Sequence, residues 1–258
     1  MIKFFRKIRH NLLMENKTGK YLKYAIGEIL LVVIGILIAL QINNYNNNQQ
    51  QRKIEQSYLL SLKAEFETNL IKIQDTIREN TDRIKSVEDM LTLFDPTILE
   101  SVNDIKLSKM FHAVFSGNAT FQHSNGVLTD IISSGNLNLI QSKQLRQGLA
   151  SFESVLDFTN LQQESSSLLL NTLQKQLSKH GSIRNVLIDR GAEFDYKSIS
   201  ELVNNREMFN MVEFENNLYD YYLTITAANS ERFFIGIKEK IETILSEIDS
   251  QLTHPKTE

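Results

Sequence analysis

The sequence predicts an all-α protein: one N-terminal transmembrane helix continuing into a long helix, then an antiparallel helical bundle. Three observations predict it. Tyr24 to Ile42 is apolar almost throughout, with Glu28 and Gln41 as its only strongly polar residues. From Arg52 to Phe94, apolar residues recur at intervals of three and four, the period of one helix face. The 258 residues include only two prolines and ten glycines, a balance that favours helices over a many-stranded sheet.

Charge orients the chain. Residues 1–23 carry seven Lys/Arg and one acid, Glu15, whereas the rest carries 21 basic and 30 acidic residues. A basic flank on one side of an apolar run is the positive-inside pattern. The expected organisation is a basic cytoplasmic segment at 1–23, a transmembrane helix at 24–42 and an extracytoplasmic helical domain at 43–258. An acidic body lacks the basic face that neutralises phosphates, so nucleic acid is excluded as partner. Cysteine is absent, which removes disulfides, thiolate metal sites and cysteine nucleophiles. A cleaved signal peptide fits poorly. The basic region is too long, the apolar run exceeds a usual h-region, and Ala39-Leu40-Gln41 offers no A-x-A-like site.

In the first segment, Ile2, Phe4, Phe5, Ile8, Leu12 and Leu13 alternate with Lys3, Arg6, Lys7 and Arg9. On a helix this makes one greasy and one cationic face, suited to an anionic inner leaflet. So short a segment holds no kinase or DNA-binding domain, so an inward signal requires another protein. The span rises 1.5 Å per residue, enough for a hydrocarbon core of about 30 Å. Glu28 is its costly residue. It lies one turn from Tyr24, within reach of Lys20 or Lys23, so an interfacial ion pair or a helix–helix contact is the favoured reading. An ion-coupling role, as in proton-driven stator subunits, is the alternative. Gly35 and Ala39 form a small-xxx-small pair, a weak signal for a second span. Tyr45, in the polar collar NNYNNNQQQ, sits where aromatic rings favour the interface. The membrane-interface residues are thus Lys20, Lys23, Glu28 and Tyr45.

MIKFFRKIRHNLL, GKYLKYAIGEILLVVIGILIALQINNYNN and the later block Asp130 to Ile140, DIISSGNLNLI, resemble an uncharacterised family of single-span membrane proteins from Bacteroidota. The chain departs from that pattern at Tyr45, where the family is expected to carry Trp. The resemblance implies a bacterial inner-membrane anchor and a helical periplasmic domain. It implies no activity, cofactor or catalytic residue.

Beyond the span, Leu70, Ile77, Ile84 and Leu91 fall at a-type heptad positions, and Ile73, Asn80, Val87 and Phe94 at d-type positions. Leu70, Ile73, Ile77, Asn80, Ile84, Val87 and Leu91 are therefore either a seam between copies, with Asn80 setting register, or a face packed on the chain's own helices. Asp95-Pro96 ends this helix. Shorter helices are expected at Leu107–Ser116 and about Ser124–Ser134, the latter ended by Gly135-Asn136. Ser142 caps a helix running to about Phe158, and a separate one spans Leu161 to Ser178. Ser198 to Glu201 carries a capping-box pattern. A last long helix is expected from about Arg206 through Ala227-Ala228 into Phe233 and Ile248.

Catalytic signatures are absent: there is no H-E-x-x-H, no G-x-S-x-G, no phosphate loop and no G-x-G-x-x-G. No metal site or cofactor is expected. His112 and His123 flank one turn, and surface or capping roles suit them better than ligation. Phe111, Phe115, Phe121, Phe152 and Phe158 suit core packing, with an apolar ligand pocket as the alternative. The expectation is a membrane-anchored periplasmic interaction or scaffold module without catalysis. Its partners would be membrane lipid and another membrane or periplasmic protein, a second copy of the chain being one candidate. Two rivals stand beside it: a periplasmic small-ligand sensor relaying to a cytoplasmic partner, and an ion-coupled energiser subunit using Glu28.

Overall fold

A computed structural model describes residues 18–253, without the side chains of 18–21 and 24. The amphipathic face expected over residues 2–13 and the side chain of Lys20 lie outside the described residues. The chain divides into two compact units, Met1–Ser57 and Tyr58–Glu258. Helix α1 (Thr18–Leu91) contributes to both.

In the first unit the apolar run of α1 is bare. An 18-residue window has a mean hydropathy of 2.6, and none of it is buried. Among the described residues, α1 is the one helix long and apolar enough to cross a membrane. Lys23 and Tyr45 are exposed and Glu28 is half-buried.

The second unit is a bundle of four rods. Rod one is α1 from Tyr58 to Leu91, closed by a 3-10 turn at Thr92–Phe94. The short α2 (Pro96–Ser101) leads into rod two, made of α3 (Asp104–Phe115), an extended stretch, α4 (Gly126–Ser133) and the turn Asn136–Leu139. Rod three is α5 (Lys143–His180). Then α6 (Ile183–Ile188) and 3-10 turns at Ile199–Leu202 and Asn205–Asn210 lead to rod four, α7 (Val212–Ala228) and α8 (Phe234–Thr253). One apolar cluster joins residues 59–73 with 121–140, 145–156 and 228–248. A second joins 87–93 with 102–115, 170–177 and 208–225. Numbers rise along rods one and three where they fall along rods two and four. The topology is up-down-up-down, as short connections dictate.

Several boundaries match the local chemistry. Asp95 accepts from Thr97 N–H and caps α2, with Pro96 at its first position. Ser142 Oγ caps α5 through Leu145 N–H. Gly135 takes the left-handed conformation after α4, with φ 73°. The capping box at Ser198 and Glu201 forms, on a 3-10 turn.

Three boundaries differ. The last long helix, expected from about Arg206, begins at Val212, after the 3-10 turn Asn205–Asn210. Residues 143–180 form one helix where two were expected, because neither Gly nor Pro separates Phe158 from Leu161 and Thr159 is buried against the bundle. Rod four, expected to be continuous, breaks between Ala228 and Phe234. There Asn229 Nδ2 bonds Ile77 O and Thr81 Oγ1 of α1, so a tertiary partner competes with the helix for this residue.

Candidate functional site

The seam of α1 is occupied from within the chain. Ile73, Asn80 and Val87 are buried, while Leu70, Ile77, Ile84 and Leu91 are half-buried against the two apolar clusters. The expected seam thus packs on the chain's own rods, with Leu70, Ile77, Ile84 and Leu91 keeping part of their surface exposed. The buried face also includes a row seven or fourteen residues apart, Leu62, Asn69, Thr76 and Met90, whose polar members hydrophobic periodicity passes over.

Polar residues of α1, Asn69 and Thr76 of that row among them, serve the interruptions of rods two and four. Asn69 clamps Ser124, donating to its carbonyl at 2.6 Å and accepting from its N–H at 2.7 Å. The Thr76 hydroxyl bonds Lys72 O of its own helix at 2.9 Å and lies 3.5 Å from Thr120 O. Arg83 donates to Ala113 O and Val114 O, placing a cation at the C-terminus of α3 where the helix dipole favours it. Glu65 accepts from Val127 and Leu128 N–H and caps α4, whose own N-cap residue Asn125 supplies no side-chain bond. At the other break, Asn80 Nδ2 donates to Ile225 O at 2.7 Å and to Asn229 Oδ1 at 3.0 Å.

The third rod answers from the opposite side. Gln163 accepts from Phe121 N–H, Gln162 donates to Thr224 O, and Gln174 donates to Phe115 O. Asn118 accepts from the Tyr221 hydroxyl at 2.6 Å and donates to Ser167 Oγ, tying both interrupted rods to α5. Burial raises the Tyr221 pKa to about 12, so the phenol remains a neutral donor. Both breaks therefore lie at one level, between the two apolar clusters. The unbroken helices α1 and α5 replace the backbone partners that the broken rods lost.

Above this waist, in the second cluster, α3, α5 and α6 enclose a half-open cleft of about 350 Å³. Phe111, Phe115, Leu177 and Val186 form its buried floor, and Ile183 and Leu187 its exposed apolar rim. His112, Ser116 and Gln174 supply its polar edge. Arg190 Nη1 donates to His112 Nδ1 at 3.0 Å, which leaves the imidazole proton on Nε2. Burial and then the neighbouring Arg190 charge hold the His112 pKa below its usual value.

Of the phenylalanines considered together, Phe111 and Phe115 share this cleft. Phe121 and Phe152 belong to the other apolar cluster, and Phe158 is exposed and stacked on Phe233. His123 packs against Phe121, while His112 faces Arg190. Among the described residues no group of three or more His, Asp or Glu is placed to hold a metal. Arg190 and the α6 residues escaped sequence reasoning. The only signal for them was the apolar spacing of Ile183, Val186 and Leu187 in an otherwise irregular stretch.

The model of a protein family of unknown function, DUF6090, matches residues 28–188, more than half of the chain. The chain belongs to the DUF6090 family. The match begins at Glu28 inside the apolar run, so the opening MIKFFRKIRHNLL lies outside it. All residues that line the cleft lie within the DUF6090 match, and rod four lies outside it. No curated protein and no solved structure matches the chain.

Proposed function

We propose that this DUF6090 protein is a single-span, non-catalytic binding module, anchored in a bacterial inner membrane of Bacteroidota type. Its N-terminus is cytoplasmic and its bundle periplasmic. The observation that carries this reading is the bare apolar run of α1, on the same unbroken helix whose next turns form the bundle seam. In water such a run is unstable; in lipid it is the expected state of a membrane helix. The basic residues 1–23 support the orientation. Lys23 and Tyr45 then meet the headgroups on the two sides, and Glu28 lies near the cytoplasmic one.

A membrane or periplasmic protein is the partner. Ile199 and Leu202 are 98% and 95% exposed on a turn fixed by its capping box and by Arg184, which pairs with Glu201. Aliphatic side chains held bare on an ordered turn suit a protein contact. The absence of cysteine makes the test clean. A single cysteine at Ser250 should react with a membrane-impermeant maleimide in spheroplasts, and one at Lys7 only after lysis. The full chain should remain in the membrane fraction after carbonate washing. The reverse labelling pattern, or release by carbonate, refutes the topology. Cross-linked partners recovered with the full chain should be lost in Ile199→Lys/Leu202→Lys.

A second reading is favoured by the cleft between α3, α5 and α6: the bundle holds a small ligand and relays its presence to a cytoplasmic partner. The polar waist offers the relay a layer where two rods are already interrupted.

A further inference from the structure

We propose that this cleft binds a small amphipathic anion, its apolar body on Phe111, Phe115, Leu177 and Val186 and its carboxylate at Arg190 and His112. The proposal rests on the ligand-holding reading and names the ligand class. Side chains and charge lead to it independently. The floor is core: these four residues are at most 8% exposed, yet they border a cleft of about 350 Å³, within the range of small-ligand sites. The rim stays apolar, with Ile183 48% and Leu187 38% exposed, so a bound hydrocarbon or aryl group would take surface out of water at both depths.

Beside the cleft, bonded to its edge residue His112, Arg190 carries a positive charge with no ion-pair partner among the described residues. Arg184 pairs with Glu201 and Arg206 with Asp104, but Arg190 bonds only the neutral ring of His112 among the described residues. Its neighbour Asp189 accepts from Ser108 Oγ and makes no ion pair with it among the described residues. No Asp or Glu lines the cleft, so nothing there favours a cationic ligand. A carboxylate at the mouth would complete the guanidinium, which still has free N–H groups, and would accept from His112 Nε2–H.

The test uses the full chain in lipid nanodiscs, with empty nanodiscs subtracted. Three probes, 4-fluorobenzoate, 4-fluorobenzyl alcohol and 4-fluorobenzylamine, are titrated and followed by ¹⁹F NMR. The benzoate should bind, with the alcohol weaker and the amine weaker still. Arg190→Gln should weaken benzoate about tenfold, the loss expected for one charge-assisted bond, and leave the alcohol unchanged. Ile183→Trp, which fills the cleft from its exposed rim, should abolish binding of both while the helical circular dichroism is retained. Equal affinity for benzoate and alcohol with no effect of Arg190→Gln overturns the ligand class but spares the ligand-holding reading. Unchanged binding in a folded Ile183→Trp protein overturns the site. Silence of all three probes overturns both the proposal and that reading.

Discussion

At the residue scale, the informative positions are polar residues inside the bundle. Asn80 is 2% exposed, and its amide completes the carbonyl of Ile225 in the last turn of α7. Asn80→Ala leaves that carbonyl buried and unpaired, and should lower stability by about 1–3 kcal/mol in urea unfolding followed by circular dichroism. Gly181 answers to space. A Cβ there would lie 2.7 Å from Leu177 Cδ1 and 2.9 Å from Asn205 Oδ1, so Gly181→Ala should cost about 1–3 kcal/mol through overpacking. His112 sets a pH dependence. Its folded pKa lies below the 6.5 of a free imidazole, chiefly through burial and then through Arg190. The folded state thus favours the neutral ring. This contribution is complete above pH 6.5 and is lost as pH falls through the folded pKa. His123, also held low by burial and by Lys72, acts in the same direction. The melting temperature should therefore be lower at pH 5 than at pH 7.5. In His112→Gln the difference should shrink; an unchanged difference would rule His112 out as a source.

At the element scale, continuity and interruption separate what was legible from what was not. The stop at Asp95-Pro96, the N-cap at Ser142, the capping box at Ser198 and the left-handed Gly135 were readable because their chemistry is local. The capping of α4 was not, since Glu65 supplies it from another rod. Glu65→Ala should cost about 1–2 kcal/mol, the size of a lost N-cap. Amide exchange should then quicken at Val127 and Leu128 before it quickens in α5. The break after Ala228 was hidden for the same reason. Ala227-Ala228 reads as helix, and only the approach of Ile77, Thr81 and Asn80 to Asn229 makes another conformation preferable. The periodicity along α1 located its face only in part. Asn69 and Thr76 are as much a part of the buried face as Ile73, but a hydrophobic pattern gives them no weight.

For the whole molecule, the filled seam bears on assembly. A bundle that already surrounds Leu70 to Leu91 on its own rods should give the mass of one chain in light scattering of the detergent-solubilised protein, after correction for detergent. A dimer that resists dilution and is lost in Ile77→Asp without loss of fold would contradict this. The waist makes a prediction about motion. Exchange should be faster at Phe121 and Ser124 than at the helical residues of either apolar cluster, since those two amides are held by single side chains and not by a helical ladder.

The sequence alone determined the long apolar N-terminal helix, the helical class and the absence of recognisable catalytic motifs. Hydropathy, helical period and motif spacing are properties of neighbouring residues and survive without a fold. The heptads of α1 were legible as a face, but whether that face met a second copy or the chain's own rods was decided by tertiary packing. The same holds for the waist and the cleft. Asn69 and Ser124, Asn80 and Ile225, and His112 and Arg190 are separated by 55, 145 and 78 positions. Bonds across such distances exist only once the four rods have come together.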